Sequence, residues 1–271
     1  MVSNLLEADV ENVLDEAFAG TDDELLVIDP SAETIVSLVE AGIRRADLPR
    51  MSMLADERVL KDVMGDFLVA SKAADLVAEG SLSLRILPDG VDNALFVSAS
   101  RAVAVVSAAN RVAALSTTDG EFVSEVYNTH REAFEDATEH TLRTPPISRV
   151  RETMATEIGE AARDDFDAVL EALEAAGGGA TELDEVTVSL LVAARNDVLL
   201  YDISKWGEDV GIASKATFSR TKTRLEDLGI IDTEKVPIDV GRPRLRLKLG
   251  DERLIGLDAA DFADVAVDLI A

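Results

Sequence analysis

The feature that most constrains this chain is a local reversal of charge near its C-terminus. The 271 residues include 53 Asp and Glu against 26 Lys and Arg, which gives a formal net charge of −27. Residues 212–248 nevertheless hold nine basic and five acidic residues, a local net charge of +4. A cationic surface confined to one part of an acidic chain indicates an anionic partner, and nucleic acid is the commonest one. An ordinary amphipathic helix and hairpin with solvated cations is the alternative.

A polar helix is predicted at the start of this segment. Ser214 is a suitable N-cap, Phe218 and Leu225 recur at helical spacing, and Gly229 is the type of residue that ends a helix. Most of the Lys, Arg, Ser and Thr residues fall on the other faces of this helix.

A hairpin is predicted directly after the helix. Residues 230–236 form a run rich in β-branched side chains, and Gly241 supplies a turn. Over residues 244–249 Leu alternates with Arg and Lys, so one face of the hairpin is apolar and the other is cationic.

Two more helices are predicted before this segment, over residues 183–196 and 200–210, with a tight turn at residues 211–214. Three helices followed by a basic hairpin have the order of a winged helix-turn-helix domain. The stretch YDISKWGEDVGIASKATFSRTKTRLEDLGIIDTEKVPIDVGRPRLRLKL resembles the winged-helix transcription regulators of haloarchaea, and the whole chain is similar to the TbsP type. That type acts in the same metabolic circuitry as the sugar-responsive regulator TrmB, whose DNA-binding domain is N-terminal.

Charge and order in this segment predict which residues contact DNA. Arg220 and Lys222 are expected to touch DNA from the third helix, and Arg242, Arg244 and Arg246 from the wing. The full predicted set is Lys215, Thr217, Ser219, Arg220, Lys222, Thr223, Arg224, Arg242, Arg244, Arg246 and Lys248.

The first 144 residues predict an α/β sheet domain. The order of elements is α-β-α-β-α-β-β-β-β-α, from an amphipathic helix over residues 2–18 to a long helix over residues 122–142. This order resembles the phospholipase-D-like half-domain that the TrmB family uses as a sensor. That enzyme family needs a His-x-Lys motif, whereas His130 and His140 stand in Thr-His-Arg-Glu and Glu-His-Thr. Phosphodiester hydrolysis by that route is therefore excluded.

A small molecule, if this domain binds one, is expected at the carboxyl edge of the parallel strands. The predicted effector-binding residues there are Asp29, Ser31, Arg101 and Arg131. Guanidinium groups pair bidentately with the phosphate or carboxylate of a metabolite. Alternatively, this domain only forms a dimer or contacts another protein, and Asp29 only ends a strand and caps a helix.

Four segments are expected in total, and the fold class is α/β plus α. They are an α/β domain at 1–144, a connector helix with a Gly linker at 147–180, a winged helix at 181–255 and a packing helix at 256–271. Apolar residues at helical spacing over 147–173 predict that the connector helix either forms part of a homodimer interface or packs on its own chain.

Composition limits which covalent links, metal sites and cellular locations are possible for this chain. The chain has no cysteine, which excludes disulfides and thiolate zinc sites, and we predict no catalytic residue, metal or cofactor. Acids in excess, with 26 basic residues that are mostly Arg, are typical of a halophilic archaeon. Acids near the N-terminus and the lack of a long apolar run predict a cytoplasmic protein.

Two functions from different classes follow. The first is a regulator of sugar or central carbon metabolism genes that binds promoter DNA as a homodimer, with a sugar or phosphorylated metabolite as a candidate effector. The second is an enzyme or degenerate enzyme that acts on a phosphorylated metabolite and whose winged helix mediates protein contacts. The reversal of charge favours the first, because a winged helix used for protein contacts is expected to stay as acidic as its surroundings.

Overall fold

The computed structural model divides into two compact units, Met1–Leu142 and Arg143–Ala271, here called the N-terminal unit and the C-terminal unit. It describes residues 3–7, 14, 17–18, 23–45, 48–88, 90, 93–108, 111–175, 183–239, 241 and 243–270. Among the described helices, none is both long and apolar enough to cross a membrane.

The N-terminal unit is built on one mixed sheet. Its elements are β1 Ser3–Glu7, β2 Glu24–Ile28, α1 Ala32–Arg44, β3 Arg50–Ala55, α2 Glu57–Val63, α3 Phe67–Ala78, β4 Leu82–Ile86, β5 Ala94–Val97, β6 Ala102–Ala108, β7 Arg111–Thr117 and α4 Gly120–Asp136. The strand order is β1-β7-β6-β5-β2-β3-β4. Strands β2, β3 and β4 are parallel and joined by helices, whereas the other neighbours are antiparallel. The predicted α/β class, with crossovers first and hairpins later, is confirmed.

Helices cover both faces of this sheet. Along the central strand β2, Leu25 and Val27 pack in the cluster that contains α1, α2 and α3. The alternate residues Leu26 and Ile28 pack in a second cluster with α4. All five residues of β2 are buried, which explains why Leu25–Ile28 is a continuous apolar run after Glu24.

The predicted helix over residues 2–18 is wrong in its first part. Ser3–Glu7 is a strand that pairs antiparallel with β7. Leu14, Ala17 and Phe18 are helical and lie in the core, and the other residues of the range lie outside the described residues. Adjacent apolar residues fit either periodicity over so short a run, and pairing with β7 satisfies the backbone groups on the side of β1 that faces β7.

The C-terminal unit is mainly helical. Its elements are α5 Ile147–Glu157, α6 Glu160–Ala175, α7 Glu185–Arg195, α8 Leu200–Val210, α9 Lys215–Asp227, β8 Ile231–Val236, β9 Arg244–Leu249, a 3-10 turn at Glu252–Leu254 and α10 Ala259–Ile270. Helix α7 forms the centre, since every residue from 186 to 194 is buried.

The single connector helix predicted within residues 147–180 is wrong, because the chain folds back on itself at Gly159. Gly159 has φ 142, a conformation that favours glycine, and its N–H donates to the carbonyl of Met154 at 2.9 Å. The resulting helices α5 and α6 are joined by the ion pair of Arg151 with Asp167 at 2.6 Å. Their apolar residues are buried within the C-terminal unit, so the helical spacing of these residues does not require a second chain.

Candidate nucleic-acid interface

Helices α8 and α9 form a helix-turn-helix whose turn depends on two glycines. Gly211 ends α8 with φ 98, and the N–H of Ile212 donates to the carbonyl of Gly207 at 2.8 Å. A Cβ on Gly207 would lie 2.3 Å from two ring atoms of Phe218, which is completely buried. The absence of a side chain at Gly207 therefore lets α9 pack directly on α8.

Helix α9 begins and ends at the residues that the sequence predicts. The Ser214 Oγ accepts a hydrogen bond from the N–H of Thr217 at 3.2 Å, as an N-cap does. Gly229 follows the helix with φ 72, and the N–H of Ile230 donates to the carbonyl of Leu225 at 3.0 Å.

One face of α9 is open to solvent. Phe218 and Leu225 are buried on the other face. The open face consists of exposed residues that recur three and four positions apart, here called the exposed stripe of α9: Ala216, Ser219, Arg220, Thr223, Arg224 and Asp227. The stripe thus presents two guanidinium groups and two hydroxyl groups in a row, with the carboxylate of Asp227 at its C-terminal end.

The two arginines of the exposed stripe lack an acidic partner. Within the part of the chain that the structure describes, no carboxylate lies within 4.0 Å of Arg220 or Arg224. The Arg220 Nη2 donates only to the hydroxyl of Thr217, at 3.3 Å. Both positive charges are therefore available to an external anion.

Lys222 is not part of this stripe, although the sequence predicts that it contacts DNA beside Arg220. It follows the buried Phe218 by four residues, so its side chain is only 12% exposed. Its Nζ pairs with Glu226 at 2.6 Å, and Glu226 accepts a hydrogen bond from Thr233 of β8 at 2.8 Å. Lys222 thus ties α9 to the wing, and its spacing from Phe218 is the sequence signal that indicates this position.

The wing is the hairpin of β8 and β9. Leu247 is buried and its N–H donates to the carbonyl of Val198 at 2.9 Å, while Leu199 forms an isolated antiparallel bridge with Arg246. Arg244, Arg246 and Lys248 alternate with the buried Leu247 and so lie on the other face of β9. The predicted contact Arg242 lies outside the described residues.

Arg244 of the wing is held by the start of α8. Its guanidinium lies 4.5 Å from the ring centroid of Tyr201, and its Nη1 lies 3.4 Å from Asp202. Arg246 differs, since its Nε is buried and has no hydrogen-bond partner among the described residues.

Two of the predicted lysines are also paired with acids. Lys248 lies 2.7 Å from Asp197 in the loop before α8, and Lys215 lies 2.6 Å from Glu208 at the end of α8. The hydrogen bond from Lys215 holds the pKa of Glu208 below its ordinary value. Sequence reasoning missed these acids, because nothing local predicts which distant cation a carboxylate meets.

The residues predicted to bind an effector do not share one edge of the sheet of the N-terminal unit. Asp29 lies at the carboxyl edge with φ 49, where its N–H donates to the carbonyl of Leu54 at 2.8 Å. Ser31 lies two residues further on and caps α1, accepting from the N–H of Thr34 at 3.2 Å.

Arg101 and Arg131 lie toward the opposite edge. Strand β5 runs antiparallel to β2, with Val97 beside Leu26, so the turn that holds Arg101 lies at the amino end of β2. Arg131 pairs with Glu24, the first residue of β2. The prediction that these arginines lie with Asp29 at the carboxyl edge is wrong, because the turn after the antiparallel β5 and the carboxylate of Glu24 both lie at the amino end of β2.

Glu24 is the centre of a buried polar group, here called the Glu24 cluster. It is 7% exposed and accepts hydrogen bonds from Ser52 at 2.6 Å, from Tyr127 at 2.8 Å, from Arg50 at 3.3 Å and from Arg131. Burial raises the pKa of Glu24, but these hydrogen bonds and the two guanidinium charges outweigh burial and leave the pKa below its ordinary value. The cluster is satisfied internally.

A helix-turn-helix with a buried first helix, an exposed third helix and a two-stranded wing defines the C-terminal unit as a winged-helix DNA-binding domain. The family models agree with this class. Residues 146–267 match "Transcriptional regulator TbsP-like, C-terminal HTH domain", and residues 2–145 match "Transcriptional regulator TbsP-like, N-terminal". The chain therefore belongs to the TbsP-like family of transcriptional regulators, as the sequence resemblance predicted.

Two solved structures are similar in part. One is TrmBL2, described as an archaeal chromatin protein with a novel mode of DNA binding, at 17% identity and a TM-score of 0.39. The match covers 51% of this chain and 54% of that one, so it spans about half the length of TrmBL2. The other is Nuc, a phospholipase D family member from Salmonella typhimurium, at 10% identity, a TM-score of 0.37 and coverage of 52% and 99%. No curated protein matches the chain.

Proposed function

We propose that this transcriptional regulator reads the sequence of double-stranded promoter DNA through α9 and binds the DNA backbone through its wing. The observation that carries the proposal is the exposed stripe, in which Arg220 and Arg224 have no acidic partner among the described residues of a chain with net charge −27. A guanidinium pairs bidentately with guanine O6 and N7 in the major groove, and a hydroxyl bonds to several base edges.

The positions of the cations suggest that some of these residues contact bases and others contact phosphates. Arg220 and Thr223 lie near the middle of the exposed stripe and would contact bases, while Ser219 and Arg224 flank them. Thr217 would orient Arg220 through the hydrogen bond between their side chains. Lys215, Arg242, Arg244, Arg246 and Lys248 would contact phosphates, which fix register without reading sequence.

We propose that the protein works in the high-salt cytoplasm of a halophilic archaeon, as the excess of 53 acids over 26 bases supports. Each phosphate contact loses affinity with salt at a log–log slope near −0.9, and near 1 M salt the Debye length is about 3 Å. Backbone contacts alone would then bind DNA weakly. Base contacts from α9 would supply more of the affinity.

We also propose that the protein binds DNA as a homodimer. One recognition helix reads few base pairs, and two half-sites a helical turn apart match a two-fold axis. Helices α5 and α6 are less suited to form the interface, because their apolar residues are buried within one chain. Light scattering in molar KCl checks this proposal, and a mass near the monomer value of 29.0 kDa at micromolar concentration would contradict it.

We propose that the N-terminal unit binds a sugar or a phosphorylated metabolite of the pathway whose genes the protein controls. This rests on the resemblance to regulators that act beside TrmB, and Asp29 and Ser31 are the predicted residues that share the carboxyl edge of the sheet. The check is the thermal shift of the full chain with free and phosphorylated sugars in molar KCl. If no compound changes the melting temperature or the DNA affinity, a role in assembly alone replaces sensing.

Chromatin immunoprecipitation of the tagged protein tests the main proposal. We expect enriched promoter sites with a shared sequence motif, and loss of enrichment in a variant that combines Arg220→Ala with Arg224→Ala. A matched control is Arg149→Ala, since Arg149 is another exposed arginine of the same unit and lies on α5. Absence of enriched sites for the wild type would refute sequence-specific binding.

A further inference from the structure

We propose that three carboxylates of the winged helix, Asp197, Asp202 and Glu208, compete with DNA phosphates for the cations of the interface. The proposal rests on the proposed DNA binding and adds residues that set its affinity and its dependence on salt. By this mechanism, each carboxylate that loses its protein cation to a phosphate binds a cation from solution. This uptake offsets the release of counterions from the DNA.

Each carboxylate binds a cation that lies on another element of the winged helix, either α9 or β9. Glu208 at the end of α8 binds Lys215 at the start of α9 at 2.6 Å. The wing cations are held in the same way by the loop before α8 and by its first turn: Asp197 binds Lys248 at 2.7 Å, and Asp202 binds Arg244 at 3.4 Å.

The paired side chains are exposed to solvent, so these ion pairs can open without unfolding of the winged helix. The side chains of Lys215 and Glu208 are 45% and 43% exposed, and those of Arg244 and Asp202 are 40% and 42% exposed. Pairs this exposed contribute little to stability, so a phosphate can displace the carboxylate at low cost. The pair of Lys222 and Glu226 differs, since the lysine side chain is only 12% exposed.

The interface therefore holds two classes of cation. Arg220 and Arg224 meet a phosphate or base with no acid to displace among the described residues, and each phosphate contact they make releases about 0.9 counterions from DNA. A paired cation releases the same counterions, but its vacated carboxylate then faces DNA and gains about one cation from solution. The two terms nearly cancel, so only unpaired cations contribute to the salt slope.

The test measures that slope directly. The full-length wild type is first used to select a binding duplex from a random pool. The enriched duplex is labelled with fluorescein, and its binding is followed by fluorescence anisotropy from about 0.5 to about 2 M KCl. In this range the Debye length of about 3 Å removes long-range electrostatic effects. The variants are Asp202→Asn, Glu208→Gln and Asp197→Asn. Asn suits position 197, whose φ of 57 is left-handed.

Each variant is expected to bind more tightly at the lowest salt and to show a slope steeper by about 0.9. Asp264→Asn is the matched control, because Asp264 is exposed on α10 with no cation within 4.0 Å among the described residues, and its slope should equal that of the wild type. The double variant Glu208→Gln with Lys215→Ala should return to the wild-type slope, since the cation that steepens it is gone.

Wild-type slopes in all three variants, with the wild type itself binding the duplex, would overturn the competition and leave the proposed function intact. Selection of no duplex by the wild type at any salt would instead overturn the proposed function, and the inference with it. A slope change in Asp264→Asn as large as in the three variants would also overturn the inference, because any removed acid would then act alike.

Discussion

Arg131 in the Glu24 cluster and Arg220 in the exposed stripe are the same residue type with opposite surroundings. Arg131 lies against a carboxylate that is 6% exposed and also binds Glu135 at 2.9 Å, whereas Arg220 has a threonine hydroxyl as its partner. The comparison shows that in an acidic chain the function of a cation depends on which carboxylates reach it. A buried carboxylate holds Arg131 inside the fold, whereas no carboxylate among the described residues lies within 4.0 Å of Arg220.

The largest effect is expected from removing the acid at the centre of the Glu24 cluster. Glu24→Ala leaves the hydroxyls of Ser52 and Tyr127 and the guanidinium of Arg50 without their acceptor, and leaves Arg131 with Glu135 alone. It should destabilise the N-terminal unit by about 3 kcal/mol. Urea unfolding followed by far-UV circular dichroism measures this loss.

Glu135→Gln is the control for the Glu24 substitution, because Glu135 also pairs with Arg131 but is 62% exposed. It should cost less than about 0.5 kcal/mol. Equal losses in the two variants would mean that burial of Glu24 is not what distinguishes the cluster.

The next largest effect is expected from a substitution that disturbs the packing of α9 on α8 but leaves every charge of the exposed stripe in place. Gly207→Ala places a Cβ 2.3 Å from the Phe218 ring, and the overpacking should destabilise the C-terminal unit by about 2 kcal/mol. Thermal unfolding monitored by fluorescence measures it. Gly120→Ala is the control, since a Cβ there has nothing within 4 Å and should be tolerated.

A third prediction sharpens the comparison within α9 itself. Arg220→Ala should weaken binding to the preferred sequence by about 1.5 kcal/mol and relax the preference at one base pair. Lys222→Ala should leave the sequence preference unchanged, because Lys222 is held by Glu226. Binding of both variants to operator and random duplexes separates the two roles, and equal losses on both duplexes for Arg220→Ala would show that the exposed stripe does not read bases.

The smallest expected effect is the change with pH in the stability that the charge of Glu24 contributes. Because the folded-state pKa of Glu24 is below its ordinary value of 4.5, its charge contributes stability above that pH, and the contribution is lost as the pH falls through the lower folded-state pKa. The difference in stability between wild type and Glu24→Gln should therefore shrink from about pH 6 to about pH 3. Urea midpoints at several pH values check this, and a constant difference would contradict it.

Local features of the fold could be predicted because neighbouring residues determine them. The cap at Ser214, the end of α9 at Gly229 and the alternation of Arg244–Leu249 need only adjacent residues, and the structure confirms each. The strand β1 could not be predicted, since it depends on pairing with β7, which is distant in sequence. The break after α5 has a local signal in Gly159, which the helical spacing on both sides of it outweighed in the prediction.

Sites proved harder to predict than elements. Arg244 and Asp202 are 42 residues apart, and no periodicity relates them. The sequence predicts hairpins after β4 but not which strand β5 pairs with, and the antiparallel pairing of β5 with β2 places Arg101 at the other edge of the sheet from Asp29.

The packing of Trp206 makes this residue a natural optical probe. It is the only tryptophan of the chain, it is 1% exposed, and its Nε1 donates to the hydroxyl of Thr153 on α5 at 3.0 Å. Intrinsic emission of the intact protein excited at the indole band therefore reports melting of the C-terminal unit alone, while ellipticity reports both units. The separation of the two melting curves measures how far the C-terminal unit and the N-terminal unit unfold independently, without labels or truncation.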